Sequence, residues 1–167
     1  MLIAHDTWVL VADGRKMLLM RNNGDAHHLK LDVEEKEIHE NPKDSQQKSD
    51  AAGRASSTQS GPGAPPVAQA GPAGQGAQFA PSRGSMEEPD YHALEEERFA
   101  TQIAANINGR ALAGELDKLI VVAPADTLGI LRRHFHQEVK TRLVGVLEKD
   151  LTNHPVPEIE KALSRAE

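Results

Sequence analysis

Four aspartates stand where the sequence pattern places strand ends: Asp6, Asp13, Asp126 and Asp150. Acids at such positions suit two-metal phosphoryl transfer if they converge to hold ions about 3.5–4 Å apart. Local chemistry offers simpler roles. Asp13 precedes Gly14 and reads as a turn residue, and Asp126 reads as a helix cap. Adjacent His27 and His28 rarely face one ion, and His134 and His136, two apart on a helix, point away from each other. No acid or third histidine lies at ligand spacing, so neither a metal site nor a cofactor is expected. A basic run offers Arg132, Arg133, Lys140 and Arg142 as nucleic-acid contacts, with Glu138 the one acid inside it. Only Phe135 interrupts the run, which lacks the aromatic interleaving of a single-strand platform, and a solvated helix face is the favoured account of it. Acidic Glu34-Glu35-Lys36-Glu37 and Glu95-Glu96-Glu97 read as wet faces of a strand and a helix. In Gly71-Pro72-Ala73-Gly74-Gln75-Gly76-Ala77-Gln78, small residues around Gln75 could let backbone approach a crowded reaction centre. Low-complexity linkers contain such strings too. Ser56, Ser57 and Ser60 have no histidine or acid arrangement for nucleophilic catalysis.

The elements that must position these groups fall on either side of a sharp change in composition. Residues 51–85 hold nine Ala, seven Gly, five Pro and five Ser, with Val67 and Phe79 the only large apolar groups. Burial of so little apolar surface cannot offset the roughly 1–2 kcal/mol per residue that backbone ordering costs. A disordered insertion over 41–86 is therefore expected inside one domain spanning 1–167. About 120 residues remain to fold, enough for one modest core.

Before the insertion the pattern is that of strands, near 7–12, 16–21 and 29–39. Trp8-Val9-Leu10-Val11-Ala12 is an apolar run ending at the Asp13-Gly14 turn. Leu29, Leu31 and Val33 alternate with Lys30, Asp32 and Glu34, the period of a strand with one wet face. After it, Asp90 can cap a helix whose stripe is Phe99, Ile103 and Ile107, stopped by Gly114. Leu119-Ile120-Val121-Val122-Ala123 suggests a strand near 118–123 covered on both faces. Asp126 or Thr127 can cap a second helix through Leu128, Leu131 and Phe135, followed by a strand near 142–149. Val156, Ile159 and Leu163 define a last helix opened by Pro155. The order β-β-β-α-β-α-β-α predicts an α/β fold, a mixed five-stranded sheet of ribonuclease H-like arrangement, with the long insertion between the third strand and the first helix.

Composition narrows the classes further. The 167 residues carry a formal charge of −6, no cysteine, and only one Trp, one Tyr and three Phe. Disulfide frameworks and thiolate chemistry are excluded, and a general polyanion binder is disfavoured while a local basic patch is not. No apolar run approaches the roughly 20 residues of a membrane helix, and Met1-Leu2-Ile3-Ala4 runs into His5-Asp6 without a basic start. A cytoplasmic location without a membrane span is the expectation.

His5-Asp6-Thr7-Trp8-Val9-Leu10-Val11-Ala12-Asp13-Gly14-Arg15-Lys16 resembles the opening of the bacterial host attachment protein family. His92 to Ala100, Leu119 to Pro124, Thr127-Leu128-Gly129 and Glu148-Lys149-Asp150-Leu151-Thr152-Asn153-His154-Pro155 extend the resemblance over nearly all the chain outside the insertion. That family is similar to the middle domain of archaeal and eukaryotic peptide-chain release factors, a ribonuclease H-like domain without nuclease acids. There, a Gly-Gly-Gln loop between the third strand and the first helix enters the ribosomal peptidyl transferase centre. Here the insertion occupies that place and Ala73-Gly74-Gln75 is the nearest match to the tripeptide. The resemblance implies a ribosome or RNA partner and a non-enzymatic or weakly catalytic role. It nominates Gln75, with Gly74 and Gly76, as the catalytic candidate. The alternatives are a direct adhesion factor for host-cell attachment, a peptidyl-tRNA hydrolase-like release or rescue factor, and a metal-dependent nuclease.

Overall fold

The computed structural model describes residues 1–40 and 90–166. Its elements are β1 (Trp8–Ala12), β2 (Lys16–Asn22), β3 (Leu31–Ile38), α1 (Tyr91–Leu112), β4 (Leu119–Ala123), α2 (Ala125–His134), α3 (Gln137–Arg142), β5 (Leu143–Glu148) and α4 (Val156–Arg165). The expected insertion, with Gly74, Gln75 and Gly76, lies outside the described residues.

The strands form one mixed sheet in the order β3-β2-β1-β4-β5. β2 pairs antiparallel with both β1 and β3, whereas β1–β4 and β4–β5 are parallel. The expected meander and the helix–strand alternation are both present. β1 and β4 are buried at every residue, because the central strands are covered on both faces. Trp8, Leu10 and Ala12 point into a core shared with α1, α2 and Val139 of α3. Val9 and Val11 point the other way, into a second core with Ile159 and Leu163 of α4. Period-two alternation thus makes one strand serve two layers.

α1 starts where Asp90 accepts hydrogen bonds from the backbone N–H groups of His92 and Ala93. It buries Phe99, Ile103 and Ile107 with Ala100, Ala104 and Ala111. The helix stops before Gly114, whose φ of 76° favours a residue without Cβ.

Three local expectations are corrected. Neither Asp126 nor Thr127 caps α2: the cap position is Pro124, with no side-chain hydrogen bond, and Thr127 is buried. The basic run does not share one helix. It breaks at Phe135, which is extended (φ −66°, ψ 130°), and restarts as α3. The side-chain amide of Asn108 on α1 bridges the break, donating to His134 O at 2.9 Å and accepting from His136 N at 2.7 Å. Phe135 and Val139 can thereby both reach the core. Finally, β3 is wetter than its alternation suggests: Leu31 is buried, but Val33 is 47% exposed.

Candidate functional site

β1, β4 and β5 run in parallel and end together at Ala12, Ala123 and Glu148. Chain order reverses across the sheet between β1 and β4. In open α/β sheets, the crevice at the carboxyl ends beside such a reversal is where ligands bind.

Asp13 follows β1 there. Its Oδ1 accepts from the backbone N–H groups of Arg15 and Lys16, both at 2.6 Å, which is the turn role expected of it. Its Oδ2 lies 2.5 Å from the hydroxyl of Thr152, a fully buried residue of the β5–α4 loop. The same hydroxyl lies 2.9 Å from Asp150 Oδ1. A hydroxyl carries one proton, so the two carboxylates share it, with the shorter contact on Asp13. Lys16 Nζ donates to Thr152 O at 2.5 Å and places a positive charge at the same junction. Two turns 139 residues apart in sequence are tied together in this way.

β3 ends and α1 begins at this end of the sheet. His39 donates its backbone N–H to Arg15 O at 2.7 Å, and its ring stacks on Phe99 with centroids 5.4 Å apart. His39 Nε2 lies 3.3 Å from Glu95 Oε2, so the chain leaves after β3 and returns into α1 at neighbouring points. A Cβ on Gly14 would lie 2.5 Å from Glu96 Cγ, so glycine lets the β1–β2 turn pass beneath α1.

Glu34 and Glu37 are exposed as expected, while other members of the acidic clusters are paired. Glu95 also meets Arg98 at 2.6 Å, Glu96 faces Arg15 at 3.9 Å, and Glu97 faces Arg133 at 3.5 Å. Glu35 on β3 pairs with Arg110 at 2.6 Å and accepts from Asn106 at 2.9 Å. The guanidinium groups of Arg110 and Arg21 lie 5.8 and 5.6 Å from the Trp8 ring centroid.

The remaining sequence candidates disperse. Asp6 sits at the opposite end of β1, with φ 62°, and pairs with Arg21 at 3.0 Å. Asp126 is exposed in the first turn of α2. Among the described residues, no three His, Asp or Glu side chains are grouped to hold a metal ion. His136 caps α3, its Nδ1 accepting from Glu138 N at 3.1 Å, while His134 ends α2. His27 and His28 are exposed beside Asp25. The backbone N–H groups of His28 and His27 hold the Asp25 carboxyl below its ordinary range. In the basic run, Arg132 and Lys140 are exposed. Arg142 turns inward instead, donating to Ala111 O at 2.5 Å and Leu116 O at 2.7 Å. Sequence reasoning missed Thr152, Lys16 and His39. The His5–Lys16 and Glu148–Pro155 strings contain Lys16 and Thr152, but that the two turns meet is visible only in the folded chain.

These observations place the crevice, the anchored turns, the end of β3 and the start of α1 on one side of an α/β domain. The sequence matches bacterial archaeo-eukaryotic release factor family 12 over residues 6–163. The chain belongs to this family. The match begins two residues before β1 and reaches into α4, so it takes in every described strand and helix. Family 12 membership agrees with the release-factor resemblance of the termini. No curated protein sequence matches the chain. No helix among the described residues is long and apolar enough to cross a membrane.

Proposed function

We propose that this family 12 protein is a cytoplasmic, ribosome-associated domain acting in translation, non-enzymatic or weakly catalytic. Any part in attachment to host cells is then indirect. The observation that carries this reading is the release-factor family match over residues 6–163. Two structural features support it. The mixed five-stranded order β3-β2-β1-β4-β5, with β2 alone reversed, supports the ribonuclease H-like arrangement that the release-factor resemblance implies. β3 ends and α1 begins near the carboxyl end of β1, and the position between them in the element order is the one where release-factor middle domains carry their catalytic loop. A nuclease reading has less support, because Asp6 lies away from Asp13 and Asp150.

On this reading Gln75, between Gly74 and Gly76, is the group a ribosome would hold against a peptidyl ester. Orientation of a water there lowers a barrier by several kcal/mol, provided that reacting atoms are held at about 3 Å. Such geometry needs the partner to impose it.

Co-sedimentation with ribosomes over a range of salt tests the association. The protein should travel with ribosomes at low salt, and its absence from that fraction rejects the proposal. Release of a labelled peptide from programmed ribosomes, compared with Gln75→Ala, tests catalysis. Equal release by both, or none by either, leaves binding alone. Surface exposure of the untagged protein on fractionated cells would favour direct adhesion.

A further inference from the structure

We infer that the groove between the β5–α4 loop and α4 is the contact surface for a single-stranded RNA backbone, in place of the basic run at 132–142. The inference rests on the ribosome-associated reading above, and it names residues that neither the sequence pattern nor family membership assigns.

The groove has a volume of about 350 Å³ and carries Lys149, Lys161 and Arg165 on its walls. All three are exposed, and none of their side chains has an ion-pair or hydrogen-bond partner among the described residues. Of the acids nearby, Glu158 lines the same groove with His154, whose Nδ1 lies 2.7 Å from it, whereas Glu160 accepts from the backbone N–H of Leu31 at 2.7 Å. Asp150 is taken by Thr152. In a chain of net charge −6, the lining of this concavity thus carries three cations against one carboxylate, Glu158.

Their arrangement suits a strand of phosphates. Lys161 and Arg165 stand one helical turn apart on the same side of α4, while Lys149 directly follows β5 on the facing wall. Arg165 brings a planar fork that meets phosphate oxygens in pairs, and the two lysines bring point charges. The floor is apolar, made by Leu151 and Ala162 of the second core, and can take the face of a ribose or base. A polyanion with one charge at every repeat fits this row better than a peptide whose carboxylates sit on independent side chains. In the basic run, by contrast, Arg133 is opposed by Glu97 and Arg142 is committed to backbone carbonyls.

The test uses the full chain, a short labelled oligouridylate and purified ribosomes. The groove variant is Lys149→Gln/Lys161→Gln/Arg165→Gln, checked for native circular dichroism; Lys161→Glu alone is the milder alternative should the triple variant not fold. Binding of single strands loses about 0.7 in the slope of log K against log salt for each phosphate contact removed. The triple variant should lower that slope by about 2 and weaken low-salt binding about 100-fold. Arg132→Gln/Lys140→Gln should do neither. If the unaltered chain co-sediments with ribosomes and the groove variant does so equally, the groove assignment falls while the ribosomal reading stands. If the unaltered chain does not co-sediment, the ribosomal reading falls; a groove-dependent slope on oligouridylate then still supports the surface. Loss of slope in the Arg132/Lys140 variant alone would overturn the groove. Binding to polyglutamate in preference to oligouridylate would overturn it as well.

Discussion

Replacing Thr152 with valine keeps the side-chain shape and removes one hydroxyl. That hydroxyl lies 2.5 Å from Asp13 Oδ2 and 2.9 Å from Asp150 Oδ1, in a residue with no solvent exposure. A hydrogen bond to a charged group contributes about 1.5–3 kcal/mol, and a stranded carboxylate oxygen bears its own desolvation cost. Asp13 is half-buried and keeps the two backbone N–H donors on Oδ1, so part of the loss is recovered by water. Thr152→Val should therefore cost about 2 kcal/mol, a fall in Tm of about 8 °C at roughly 4 °C per kcal/mol for a domain of this size. Thr152→Ser keeps the hydroxyl and loses a methyl group, which should cost only about 1 kcal/mol. Thermal and urea unfolding of both variants, with Asp13→Asn and the double variant Asp13→Asn/Thr152→Val, completes a cycle that isolates the pair. A valine variant as stable as the serine one, or a double variant whose losses simply add, would show that the shared proton does not tie the two turns together.

Other consequences follow from particular contacts. Arg142→Gln, which strips the donors from Ala111 O and Leu116 O, should destabilise by about 2 kcal/mol in urea unfolding, whereas Arg132→Gln should stay within about 0.5 kcal/mol. Gly24→Ala should cost about 2–3 kcal/mol by the same measurement, because its Cβ would overlap the carbonyl oxygen of His28 and come within 2.8 Å of Lys30 N. That backbone is further pinned by buried Asn22, which accepts from Gly24 N at 2.9 Å and donates to Ile3 O at 3.0 Å. Replacing residues 51–85 with a short Gly/Ser bridge should leave the calorimetric Tm nearly unchanged, and collapse of folding would overturn the single-domain reading with an internal insertion.

The α/β class, the order of the five strands along the chain and the three long helices follow from the sequence alone, because apolar periodicity and caps are local. Leu119 to Ala123 is legible as a strand covered on both faces since a run without polar residues needs such cover, whereas Trp8 to Ala12 is legible only as a strand. Asp90 and Gly114 mark the ends of α1 by chemistry that acts within a few residues. The break between α2 and α3 was not legible, because the groups satisfying its free backbone come from Asn108, 26 and 28 residues earlier in the chain. For the same reason Glu35 read as solvated until α1 brought Arg110 against it, and Arg142 read as an exposed cation until it met the end of α1. Asp13 and Asp150 were visible as acids at strand ends. That they share the proton of Thr152, and that Lys149, Lys161 and Arg165 line one groove without ion pairs, depended on which loops the sheet brings side by side. Spacing along a chain encodes which face a side chain takes, whereas hydrogen bonds and charge neutralisation depend on separations in space that only the packed sheet decides.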